Sequence, residues 1–125
     1  MEEEKRVLVV DDSASVRWQL RQALEAEGFF VMEAENGERA LEVLEQPAPV
    51  HIMIVDVNMP VMNGYEMIRK ARAMRKYVDT PIFVLTTESG PQAIKEGKGA
   101  RATVWIIKPV KPHLLVAGMR KALGM

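Results

Sequence analysis

The chain has 125 residues, the size of one ordinary domain, and 48% of them are hydrophobic, enough to bury a real core and to exclude general disorder. Lys+Arg and Asp+Glu balance at 17 each, which argues against a general nucleic-acid binder, and the lack of cysteine excludes disulfides and thiolate–metal sites. No apolar run reaches the ~20 residues of a membrane helix, and the charged start from Met1 to Arg6 is unlike a signal peptide. A cytoplasmic protein is therefore expected, as one domain over residues 1–125 with no output domain.

Val7-Leu8-Val9-Val10 is a short β-branched run that stops on Asp11-Asp12, the pattern of a strand buried on both faces. Val16, Leu20, Ala23 and Leu24 then recur at helical spacing, and Gly28 closes that helix. Phe30-Val31-Met32 is a second strand. Asn36 is suited to cap the next helix, which carries Ala40, Leu41 and Leu44 inward. Ile52-Met53-Ile54-Val55 is a third strand and ends on Asp56. A helix follows from about Gly64 to Arg75. Ile82 to Leu85 is a fourth strand ending on Thr86-Thr87, and Pro91 suits the first position of a helix. Thr103 to Ile107 makes a fifth strand ending on Lys108-Pro109, and Pro112 suits the start of a last helix. Five βα units in succession predict an α/β fold: a five-stranded parallel sheet with helices on both faces and right-handed crossovers.

In such sheets ligands bind beyond the carboxyl ends of the strands. The first, third, fourth and fifth strands each bring polar residues to that edge: Asp11 and Asp12, Asp56, Thr86, and Lys108. Clustered carboxylates repel, by about 4 kcal/mol for a pair ~4 Å apart at an effective dielectric near 20. They call for a hard cation with oxygen ligands, and Mg²⁺, with Mn²⁺ as a substitute, fits this description. A carboxylate is also a nucleophile toward phosphorus, while a lysine and a threonine hydroxyl can support the oxygens of a transferred phosphoryl group.

These residues fall in four motifs: Val9-Val10-Asp11-Asp12-Ser13, Asp56-Val57-Asn58-Met59-Pro60 with Gly64 after it, Leu85-Thr86-Thr87-Glu88, and Lys108-Pro109. With them the chain resembles the receiver domains of bacterial response regulators, most of all the single-domain chemotaxis regulators (CheY-like). The resemblance implies a flavodoxin-like (βα)5 receiver fold and a set of roles. Asp56 is then the phosphoacceptor of a two-component system, charged by a sensor histidine kinase. Asp12 and Asp56 hold Mg²⁺ directly with the backbone carbonyl of Asn58, and Asp11 helps through water. Lys108 pairs with the phosphoryl group, and its bond to Pro109 is cis. Thr86 and Trp105 form the switch, and Asn58 and Glu88 tune hydrolysis of the aspartyl phosphate. The downstream protein binds the face built from the fourth helix, fifth strand and last helix, where Leu114 is expected to be exposed. Nucleic acid and membrane are not expected as partners, and the expected state is a monomer or a weak phosphorylation-dependent dimer. Three departures, Arg101 and Val104 in place of Gly and Val110 in place of Phe, lie near that partner face.

Each residue also has a plainer reading. Asp11-Asp12 and Asp56 can be strand-end turns or caps, Lys108 a surface lysine, and Trp105 core filling. What these readings leave unexplained is the convergence of all four strands on one edge. The two histidines, His51 and His113, have no second histidine at ligand spacing, and Trp18 is expected at the surface. The basic run Arg69-Lys70, Arg72, Arg75-Lys76 reads as a solvated helix face. Among other functions, an aspartate-dependent phosphatase would want an acid at the position of Asn58, and a flavin carrier would want a phosphate loop where Asp11-Asp12 stands. A phosphorelay intermediate, passing the group on to another histidine-containing protein, is the closest alternative.

Overall fold

A computed structural model describes residues 4–59, 62–87 and 91–125. Five strands, β1 (Arg6–Val10), β2 (Phe30–Ala34), β3 (Ile52–Asp56), β4 (Ile82–Thr86) and β5 (Val104–Ile107), alternate with five helices. The helices are α1 (Ala14–Ala26), α2 (Gly37–Leu44), α3 (Gly64–Arg72), α4 (Pro91–Ala100) and α5 (Pro112–Ala122). All neighbouring strands are parallel, in the order β2-β1-β3-β4-β5. The chain therefore steps outward to β2 and then reverses past β1 to β3. That reversal opens a crevice at the carboxyl ends of β1 and β3, where sheets of this kind bind ligands.

The apolar runs read as two-sided strands are so. Every residue of β3 and β4 is buried, as are Val7 to Val10 of β1. Because side chains alternate across a strand, the core divides in two. Leu8, Val10, Met53, Val55 and Val84 face α2 and α3. Val7, Val9, Ile52, Ile54, Phe83 and Leu85 face α1 and α5. Asn36 caps α2 by accepting from the Arg39 backbone N–H at 2.8 Å, as its sequence position suggested. Met53, Met67 and Met119 are fully buried.

Three expectations need correction. The third helix stops at Arg72, and Arg75–Tyr77 is a separate 3₁₀ turn. The fifth strand begins at Val104 rather than Thr103, because the Thr103 hydroxyl accepts from the Ile82 backbone N–H at 2.9 Å. Arg72 is not solvated but 7% exposed. Its guanidinium donates to the carbonyls of Tyr77 (2.8 Å), Thr80 (2.6 Å) and Arg101 (2.9 Å), tying the end of α3 to the amino ends of β4 and β5. Arg101, one of the departures, takes φ +67°, a left-handed conformation that costs a non-glycine residue about 1–2 kcal/mol.

Candidate functional site

Four strands deliver the residues singled out above to one end of the sheet. Asp11 and Asp12 follow β1, Asp56 ends β3, Thr86 ends β4 and Lys108 follows β5. Oxygens of Asp11, Asp12 and Asp56 lie within 4.8 Å of one another. Asp11 and Asp56 are buried and Asp12 is exposed. Lys108 Nζ donates to Asp56 Oδ1 at 3.0 Å and stands 3.9 Å from Asp11 Oδ2. Asp56 Oδ1 also accepts from the Asn58 backbone N–H at 3.2 Å.

This close approach has a backbone cause. A Cβ on Gly64 would sit 2.5 Å from the Asp56 carbonyl oxygen and 2.9 Å from Val57 Cα, so only glycine lets α3 begin this near the end of β3. The Lys108–Pro109 bond is cis, as expected. The Lys108 backbone N–H meets the Thr86 carbonyl at 2.8 Å, which keeps β5 beside β4 up to the site.

Asp11 carries the clearest electrostatic signature. Burial pushes its carboxyl pKa up, and the Asp56 and Asp12 carboxylates push the same way. A hydrogen bond from the Ser13 backbone N–H and the charge of Lys108 oppose them. Asp11 Oδ1 takes the Ser13 bond at 2.8 Å, whereas Oδ2 is buried with no hydrogen-bond partner among the described residues. Formally, three carboxylates against one ammonium leave an excess of two negative charges. A hard divalent cation suits that charge, that all-oxygen donor set and the unpartnered oxygen.

Around this centre the other predicted residues are partly brought in. Thr86 is fully buried, on the sheet face that also holds Val84, the register partner of Trp105. Trp105 is half-buried and stacks on Tyr65 with ring centroids 5.8 Å apart. Its edge lies against α4, where a Cβ on Gly97 would meet the indole at 2.0 Å, and its Nε1–H is buried without an acceptor among the described residues. Asn58 is exposed and its side-chain amide donates to the Thr87 hydroxyl at 3.4 Å. Glu88 lies outside the described residues. Val104, Ile107 and Leu114 are exposed along β5 and α5, beside an apolar groove with Lys111 and Lys121 on its lining.

Sequence reasoning missed Thr87, Tyr65, Gly97 and Arg17. Arg17, on α1, donates from Nη1 to the Asp11 carbonyl at 2.6 Å and from Nε to Glu33 of β2 at 3.1 Å. Nothing in its spacing signals this, because its partners come from separate segments.

Comparison with known proteins agrees with this geometry. The response regulator receiver domain family matches residues 7–120. A chemotaxis protein CheY homolog of Campylobacter jejuni is 38% identical over 120 residues, covering 95% of this chain and 92% of that one. Chemotaxis protein CheY1 of Helicobacter pylori is 36% identical, covering 95% and 97%. The structure of Vibrio cholerae chemotaxis protein CheY4 superposes with a TM-score of 0.91 at 40% identity, covering 97% of this chain and all of that one.

Proposed function

Because the chain belongs to the response regulator receiver family, we propose that it is a phosphorylation-dependent switch of a two-component system, with Asp56 as its phosphoacceptor and chemotaxis as its setting. A carboxylate oxygen of Asp56 attacks phosphorus, a P–O bond forms, and the P–N bond to the donor histidine of a sensor kinase breaks. The observation that carries this reading is the convergence of Asp11, Asp12 and Asp56 with Lys108 on one sheet edge. Lys108, now paired with Asp56, turns to the transferred group and offsets its charge. Asp12, Asp56 and the Asn58 carbonyl would hold Mg²⁺ directly, with Asp11 supporting them through water. Bound Mg²⁺ neutralises the carboxylates and the phosphoryl oxygens.

The phosphoryl group adds about −1.5 to −2 charge at one end of the sheet. Thr86 donates to it, and Trp105 responds on the same sheet face, altering the surface of α4, β5 and α5 that a target protein reads. Asn58 and Glu88 set how long the aspartyl phosphate lasts. On this reading the protein acts in the cytoplasm, as a receiver domain.

Incubation with Mg²⁺ and a small phosphodonor should add one phosphoryl group, and Asp56→Asn should abolish it. Labelling that survives at full yield in Asp56→Asn would sink the assignment. For the switch, beryllofluoride should change the fluorescence of a Trp18→Phe variant, in which Trp105 is the sole indole. Thr86→Ala should lose most of that change.

A further inference from the structure

We propose that Arg17 is a positioning residue for metal binding, holding the turn that carries Asp11 and Asp12 through the backbone carbonyl of Asp11. The inference rests on the acidic cluster being the Mg²⁺ site. Strand pairing of β1 ends at Val10, opposite Ala34 and Val55. The next carbonyl, that of Asp11, lies past the ladder, and a buried backbone acceptor needs a donor. Arg17 Nη1 supplies it at 2.6 Å.

The other groups of Asp11 are fixed as well. Its N–H donates to the Ala34 carbonyl at 3.1 Å, and its Oδ1 accepts from Ser13 at 2.8 Å. Only Oδ2 is left over, on the side of the cluster. Arg17 is held in turn by Glu33 of β2, at 3.1 Å from Nε. Thus β2, which sends no side chain to the site, still braces it through Glu33.

Arg21 is a built-in control. It also pairs with Glu33, and with Glu25 at 3.3 Å on its own helix, but its hydrogen bond to a backbone carbonyl goes to Val31 at 3.2 Å and it makes none to Asp11. If the arginines only fasten α1 to β2, losing either should have the same consequence. If Arg17 positions the turn, only its loss should reach the metal. Lysine keeps the charge but lacks the planar fork that spans two acceptors.

Mg²⁺ titration of the full chain by calorimetry separates these cases. Arg17→Lys should weaken Mg²⁺ binding by about tenfold, the low end for a residue that orients a metal ligand, while Arg21→Lys stays within about twofold of wild type. Arg17→Gln removes a positive charge near the site, which by charge alone would tighten binding, yet it too should weaken it. In chelator, amide hydrogen exchange at Asp12 and Ser13 should quicken in Arg17→Lys and not in Arg21→Lys. Wild-type affinity in both Arg17 variants, or equal losses in Arg17→Lys and Arg21→Lys, overturns the positioning role. Asp12→Ala tests the premise separately: if it binds Mg²⁺ like wild type, the metal site itself has been misassigned and the inference falls with it.

Discussion

Two buried ionisable side chains stand at opposite ends of the sheet and are treated in opposite ways. Arg72, at the amino ends of β4 and β5, spends its guanidinium on the carbonyls of Tyr77, Thr80 and Arg101, with a weaker contact to Val78. Burial, followed by the nearby Arg101 charge, pushes its pKa down, and Asp79 opposes them. Asp11, at the carboxyl ends, is more buried still, yet among the described residues its Oδ2 has no hydrogen-bond partner beside two further carboxylates. A buried polar group left unpaired costs stability, so most such groups are satisfied. The contrast separates the two ends by purpose: one is closed and structural, the other held open for something that arrives.

The sharpest way to break the comparison is at the closed end. Arg72→Met leaves at least three carbonyls without their donor and should cost about 3 kcal/mol or more. Urea denaturation would show this as a lower midpoint at unchanged slope. Mg²⁺ affinity, read at the far end of the sheet, should stay near wild type.

At the open end the sign should reverse. In chelator, Asp11→Asn removes a poorly solvated charge and should stabilise the protein by about 1–2 kcal/mol. With Mg²⁺ at about a hundred times its Kd, wild type should gain about 2.7 kcal/mol and the variant less. Melting curves with and without Mg²⁺ would reveal the crossing. A destabilised Asp11→Asn in chelator would mean that the native site already satisfies this carboxylate.

The smallest effect is a pH slope. The folded pKa of Asp11 lies above its unfolded one, so the native state holds a proton that the unfolded chain has already released. The contribution of Asp11 to stability in chelator should therefore be greatest below the ordinary carboxylate range and decline as pH rises toward the raised value. Melting temperature against pH, wild type minus Asp11→Asn, isolates this contribution.

The open end was legible in the sequence because β-branched runs there stop abruptly on Asp11, Asp56, Thr86 and Lys108, and short parallel strands put such stops on one edge. The closed end was not. Arg72 sits in a basic run, and helical periodicity cannot show that the carbonyls of Tyr77, Val78, Thr80 and Arg101 converge on it. The same limit hid Arg17 and Glu33, whose meeting depends on β2 lying next to β1. It also hid Gly97, which in a helix reads as a weak point and proves to be the notch that admits the Trp105 ring. Alternation of strands and helices leaves strand order open, and the flavodoxin-like order came only with the family resemblance.

The division of the core by the sheet bears on how such a protein can change over generations. Among the described residues Trp105 packs against the cluster on the α2 and α3 side, while Leu20, Leu24, Phe29 and Leu115 fill the other. If the indole moves on phosphorylation, the volume it vacates belongs to one compartment alone. The compartment under α1 and α5 then has no moving indole to accommodate. Its side chains are free to be exchanged for thermal tolerance, whereas every exchange on the far side must suit two shapes of the same room.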